Sequence, residues 1–287
     1  MSAARFVQRL NCLSTNENGM ICKNGKGGKR MKLYRYIAFE SFVDLVQSQS
    51  LCFSYPPFAW EDTYEGFLYR AIKTPVGREK ILSLIDSKEQ ARFAEAVLTD
   101  DALNHARYLC WSQSKDKLAL WSIYPHQNKA VMICTSDKKL QQLKCDGLSV
   151  SLMKVNYVNS LTLEDEVEAI RGKSISSPNI FRSKRSDFKH EKEYRAYIGT
   201  LKKIDPSTPL IIPIPDIRNF LEGVMVHPSA PTWYVGVVEE YCQINHIKFL
   251  GNRNCTSLKF NAPILHRHLI SQYISIQFNI CHNMFLF

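Results

Sequence analysis

The chain has 287 residues, 45% of them hydrophobic, which is enough for one sizeable core without disulfide or metal staples. A disordered or fibrous chain is excluded on those numbers. The net charge of +10, from 37 basic and 27 acidic residues, favours an anionic partner such as a nucleotide or a nucleic acid.

The nine cysteines are odd in number, scattered and free of any CxxC pair, the pattern expected where thiols stay reduced. No apolar run approaches the roughly 18–20 residues needed to span a bilayer, and the N-terminus lacks the apolar core of a signal peptide. A cytoplasmic protein without a membrane partner is expected. Part of the basic excess sits in the first 30 residues, where Arg5, Arg9, Lys23, Lys26, Lys29 and Arg30 face Glu17. With the Asn, Gly and Lys-rich stretch 16–30, residues 1–31 read as a basic, poorly ordered arm.

The fold proper is expected over 32–260. Residues 32–37 have strand composition, 39–47 carry apolar residues at helical spacing (Phe39, Phe42, Val43, Val46), and 51–54 read as a short strand. Residues 55–66 hold two prolines, Trp60 and three acids, and so read as a loop. From 77 to about 105 the pattern is helical, an insertion after the first two strands. Strands follow at 108–112 and 130–135 around a short helix at 118–124, then a helix at 136–143, a strand at 149–157 and an acidic helix at 163–170. Later strands are expected at 194–199, 210–214, 223–226 and 248–249, with a helix at 232–244. Strands grouped around helical stretches, without regular βαβ alternation, predict an α+β fold with a mixed, mainly antiparallel central sheet flanked by helices. Residues 261–287 are apolar without a clear period and read as a C-terminal extension.

Several chemistries find no support. The Gly25–Lys29 stretch lacks the spacing of a phosphate loop, and there is no GxSxG elbow. The eight histidines show no HExxH or comparable spacing, so no bound metal is expected. Four places carry candidate chemistry. Arg35 and Tyr36 lie in a short aromatic strand, where the alternative is a surface arginine at a sheet edge. Ser54, Tyr55, Trp60, Asp62 and Glu65 lie in or beside the acidic aromatic loop, which could stack a planar ring while its carboxylates bind hydroxyls, or simply pack down. Trp121 and Tyr124 are three apart and share a face if helical, as core residues also would. Glu191, Glu193 and Arg195 share one side of an extended run, opposite Lys192 and Tyr194. Two carboxylates so close repel, which suits one to hydrogen bonding or proton transfer; a salt-bridge ladder with Arg195 is the alternative.

The segments LYRY, FSYPPFAWEDTYEG, CWSQSKDKLALWSIYPHQNKAVMIC, HEKEYRAYI and LEGVMVHPSA, in that order, resemble a bacterial family called domain of unknown function 2971. The likeness spans roughly residues 32–260. Asp62, Glu65, Trp121, Tyr124, Glu191, Glu193 and Arg195 match the family pattern. Trp60-Glu61 stands where the family has Phe-Asn, Thr63 replaces a proline, Pro125 follows the tyrosine, and Ala130 replaces a glycine. The family name implies no activity.

An arginine on a first strand, a serine on a second and a late E-x-E also look like ADP-ribosyltransferases. That resemblance implies NAD as substrate and an NAD-consuming enzyme, a toxin or anti-phage defence effector with a protein partner in its system. It implies that Arg35 contacts the NAD phosphates or ribose and that Ser54 shapes the nicotinamide pocket. Tyr36, Tyr55 or Trp60 would stack nicotinamide. Glu193 would stabilise the oxocarbenium-like centre, and Glu191 would orient the acceptor. The competing expectations are a metal-dependent nuclease using Asp62, Glu65, Glu191 and Glu193 with Lys192 nearby, and a binding module using the basic arm on nucleic acid.

Overall fold

The computed structural model describes residues 30–55, 65–88, 90, 106–123, 128–159, 162–170, 180–199, 205 and 207–252. Residues 1–29 of the basic arm, Trp60, Asp62, Tyr124 and the C-terminal extension lie outside the described residues.

The first strand, β1 (Lys32–Ala38), leads directly into helix α1 (Phe39–Ser48). Phe42, Val43, Leu45 and Val46 are buried there, at the spacing that puts them on one face, and Gln49 ends the helix in the left-handed region. Next come β2 (Ser50–Phe53), α2 (Phe67–Lys73) and α3 (Pro75–Leu84). Helical structure therefore begins at Phe67, ahead of the start expected at 77, while residues 91–105 of the expected insertion lie outside the described residues. The expectation missed the earlier start because Pro75 forces Thr74 into an extended conformation and restarts the helix, with the Thr74 side chain accepting from Gly77 N–H. Gly77 is needed at this junction, since a Cβ there would lie 2.3 Å from the Ala71 carbonyl oxygen.

The middle of the chain supplies β3 (Ala106–Ser112), α4 (Leu118–Ile123), β4 (Ala130–Ser136) and α5 (Asp137–Gln142). The single strand expected over 149–157 is instead divided into β6 (Leu148–Ser149), β7 (Ser151–Lys154) and β8 (Asn156–Val158), after a short β5 (Lys144–Cys145). Each piece has a different partner: β6 pairs β5, β7 pairs β10 (Glu193–Gly199), and β8 pairs β9 (Ser183–Arg185) in parallel. Val150 and Val155 are buried at the two breaks, so the chain changes partner without exposing apolar side chains. Helix α6 (Leu163–Ile170), β11 (Leu210–Pro213), α7 (Ile217–Phe220), β12 (Gly223–Val226) and α8 (Thr232–Ile244) complete the described elements. The strand expected at 248–249 is a single parallel bridge between Val224 and Phe249.

The central sheet has six strands in the order β12-β4-β1-β3-β10-β7, and every neighbouring pair is antiparallel. The α+β fold with a mainly antiparallel sheet flanked by helices is therefore as expected. All seven residues of β4 are buried. One face of the sheet carries Leu33, Leu109, Trp111, Val131, Ile133, Ala196 and Val224 into a large core with α1, β2, β11 and α8. On α8 the buried residues Tyr234, Val235, Val238, Tyr241 and Cys242 form one stripe.

The opposite face is divided. Tyr34, Tyr36, Met132, Cys134 and Met225 pack with Leu120 and Trp121 of α4 at the β12-β4-β1 side. Tyr108 and Met153 pack with α2, α3 and α6 at the β3-β10-β7 side. Cys110, Ser112, Glu193 and Arg195 lie on the adjacent strands β3 and β10 of this face, where register pairs Glu193 with Ser112 and Arg195 with Cys110. Among the described residues no helix is long and apolar enough to cross a membrane.

Candidate functional site

The site is a buried ionic cluster on that second face. Lys184 Nζ lies 3.0 Å from Glu65 Oε1, 2.8 Å from Glu191 Oε2 and 3.0 Å from Glu193 Oε2. Arg195 donates from Nε to Glu193 Oε1 at 2.8 Å, from Nη2 to Glu65 Oε2 at 2.6 Å and from Nη1 to the Phe181 carbonyl at 2.6 Å. None of the five charged residues is more than 7% exposed. Charges taken this far from water persist only when paired and hydrogen-bonded, and removing one partner strands the rest.

Local structure delivers each group. Glu193 opens β10, and its backbone N–H donates to Tyr157 Oη at 2.7 Å. Glu191 ends a 3-10 helix (Ser186–Glu191), and Lys192 follows in the left-handed region with φ 47. The two glutamates thus converge as expected, although Glu191 is not on a strand. Lys192 is exposed, and it is Lys184 that takes the lysine's place among the acids. The parallel pairing of β8 with β9 sets Lys184 beside Tyr157, and the Phe188 ring covers its ammonium at 4.7 Å. Glu65 enters from the end of the acidic loop, where Arg70 also donates to its carbonyl at 2.8 Å.

Electrostatics follow from this packing. Burial by itself would raise the Glu193 carboxyl, but Arg195 and then Lys184 outweigh it and hold the group down at about 2. Arg195 is raised above its ordinary value because Glu193 and Glu65 overcome the burial that opposes its charge. Burial pushes the Cys110 thiol well above its usual range, with the Glu193 charge adding to it, so this cysteine is a poor nucleophile. Burial likewise lifts the Tyr157 phenol to about 12. Glu193 is therefore a permanent anion at neutral pH rather than a proton donor.

A second layer ties the cluster to β1. Ser112 Oγ donates to the Glu191 carbonyl at 2.5 Å, and Ser114 Oγ to the His190 carbonyl at 3.0 Å. Gln113 N–H donates to the Lys192 carbonyl at 3.0 Å. Tyr36 Oη donates to the Ser114 carbonyl at 3.1 Å and accepts from Lys117 N–H at 3.2 Å. Trp121 meets Tyr36 edge to face, with ring centroids 4.8 Å apart, and its indole N–H donates to Asp116 at 3.0 Å. Asp116, like Lys192, has a left-handed backbone, φ 50. The loop 113–117 and the 3-10 turn are thus stitched into one unit beside the glutamates.

The other expected residues lie elsewhere. Arg35 follows Tyr34, and register aligns Tyr34, Ser112 and Glu193 across three strands; Arg35 therefore points to the opposite face from Glu193. Its guanidinium donates to the Cys110 carbonyl at 2.9 Å, where β1 and β3 part beyond the Tyr34–Ser112 pair. Ser54 pairs with Tyr108 through two backbone hydrogen bonds, four residues along β3 from Ser112 and so roughly 13 Å away. Tyr55 is buried, with its ring against Tyr69 and Phe181. Tyr36 and Tyr55 are each occupied by packing within the fold. Spacing along the chain does not reveal Lys184, whereas the alternation of Ser112 and Ser114 within the CWSQS motif is a signal that the sequence does carry. Among the described residues no group of three or more His, Cys, Asp and Glu side chains is arranged to hold a metal ion.

No family model matches the chain, and no curated protein matches it, so the resemblance to domain of unknown function 2971 rests on the motifs alone. Among solved structures the chain is similar to Thermus sp. 2.9 DarT in complex with NAD+, at 10% sequence identity over 79% of this chain and 96% of that chain, with a TM-score of 0.35. A likeness of that size carries no weight for fold or activity.

Proposed function

We propose that the protein is an ADP-ribosyltransferase-like, NAD-consuming enzyme in which Glu193 stabilises the oxocarbenium-like centre as nicotinamide departs. The N-glycosidic bond of NAD breaks, its electron pair leaves with nicotinamide, and C1′ of the ribose becomes electron-poor. Water or another acceptor then bonds to C1′ and releases its proton to solvent. Glu191 orients that acceptor.

The observation that carries the reading is the state of Glu193: an anion held at about 2 and locked in orientation by Arg195 and Lys184. A transition state that develops positive charge is served by a carboxylate that is already ionised and need not reorganise. Tyr36 and Trp121 act here by positioning the loop 113–117, whose Ser114 and Gln113 hold the His190 and Lys192 carbonyls on either side of Glu191, rather than by stacking the base. Arg35 supports the sheet and is not part of the NAD contact set. The wider role, as a toxin or defence effector, would follow from depletion of NAD in cells producing the protein.

The test incubates purified protein with nicotinamide-labelled NAD, alone and with tRNA, DNA or cell lysate, beside a Glu193→Gln variant whose fold is checked by circular dichroism. Nicotinamide release by the wild type that is lost in the folded variant is expected. Absence of release under every condition would overturn the reading, and magnesium-dependent cleavage of the added nucleic acid would move the assignment to a nuclease.

A further inference from the structure

Lys184 makes three ion pairs and has three ammonium hydrogens. Its partners come from three separate places: Glu65 before α2, Glu191 at the end of the 3-10 turn, and Glu193 at the start of β10. Arg195 reaches two of these carboxylates, Glu65 and Glu193. A tetrahedral ammonium can address three carboxylates arriving from different directions, whereas a planar guanidinium presents a fork in one plane. β9 is pinned by its parallel pairing to β8, and Phe188 covers the ammonium, so the charge is delivered by a held strand rather than by a loose side chain.

We propose that Lys184 is the positioning residue of this site, a group that joins Glu191 to Glu193 and to Glu65 and so sets the distance and orientation of the two working carboxylates. Its catalytic consequence rests on the NAD reading above; its structural consequence does not. Among the described residues Lys184 faces Glu65, Glu191, Glu193 and Tyr157, with Arg195 and Cys110 acting on the same carboxylates.

The test compares Lys184→Met, which removes the charge, with Lys184→Arg, which keeps it in the wrong shape. The Glu193 carboxyl resonance, assigned by its loss in Glu193→Gln, is followed by NMR against pH. In Lys184→Met it should titrate about one unit or more higher than in the wild type, and in Lys184→Arg it should stay close to the wild type. If the wild type releases nicotinamide, both variants should lose about tenfold or more in kcat with KM little changed, because a keyed geometry is not restored by charge alone. An unmoved Glu193 titration in folded Lys184→Met, or wild-type kcat in Lys184→Arg, would overturn the proposal. Should Lys184→Met fail to fold, the wild type still decides: its Lys184 ammonium signal, assigned by loss in Lys184→Arg, should be protected from solvent exchange, and free exchange would overturn the proposal. Failure of the NAD reading shows as no nicotinamide release by the wild type, which leaves both NMR readouts standing.

Discussion

Arg35 and Glu193 project from opposite faces of one sheet: Tyr34, Ser112 and Glu193 align across β1, β3 and β10, and Arg35 is the next residue after Tyr34. A strand-borne arginine and a strand-borne glutamate can be adjacent in a motif and still be separated by the thickness of the sheet. Arg35 instead holds the Cys110 carbonyl at the point where β1 and β3 part. Arg35→Met should therefore cost about 1–3 kcal/mol of stability by leaving that carbonyl unpaired, with the KM for NAD unchanged. Urea denaturation and steady-state kinetics on the same preparation check this. A large rise in KM with full stability would place Arg35 at the ligand.

The ionic cluster should behave as a unit. Arg195 is fully buried between Glu193 and Glu65, so Arg195→Met should destabilise by about 3–5 kcal/mol, the scale for stranding buried charges. Combining Arg195→Met with Glu65→Gln should cost less than the sum of the two single changes, since each removes a charge that the other leaves unpaired. Strict additivity in a double-mutant cycle would contradict a shared network.

Acid stability follows from the Glu193 carboxyl at about 2. This folded value lies below that of an unfolded glutamate, about 4.3, so the unfolded chain binds the proton first. The contribution of Glu193 is complete above the unfolded value and is lost as pH falls from there towards 2; it is on the order of 3 kcal/mol. Denaturation free energy measured between neutral and strongly acid pH should fall over this window, and in Glu193→Gln the slope there should flatten. An unchanged slope in that variant would show that Glu193 is not held ionised.

Lys192 follows the 3-10 turn with φ 47, a conformation that costs an L side chain roughly 1–2 kcal/mol and glycine much less. Its side chain is exposed. Lys192→Gly should be neutral or stabilising by up to about 1 kcal/mol, because relief of strain is partly offset by glycine's greater freedom when unfolded. Thermal unfolding checks this, and clear destabilisation would mean that the Lys192 side chain makes a contact of its own.

Much of the fold was legible because its signals are local. Periodicity placed α1 and α8, where Phe42, Val46, Val238 and Cys242 fall on single stripes, and it placed β4, whose seven residues are all buried. The insertion was misplaced because the Thr74-Pro75 restart hides a helix on its N-terminal side. The run 149–157 reads as one strand because β-composition does not record changes of partner. At the site, Glu65, Glu191, Glu193 and Arg195 came from two motifs that the chain does bring together. Lys184 and the sidedness of Arg35 were not legible, since both depend on which strands pair and in what register, and a single sequence carries no direct signal of register when both faces of a sheet are covered.

The most direct measurement is the steady-state rate of nicotinamide release from NAD by the wild type and by Glu193→Gln, each shown to be folded. If Glu193 stabilises positive charge developing at C1′, kcat should fall by about 100-fold or more while KM changes little. Turnover in the variant within about tenfold of the wild type would contradict the account and leave the cluster as a structural element of the sheet.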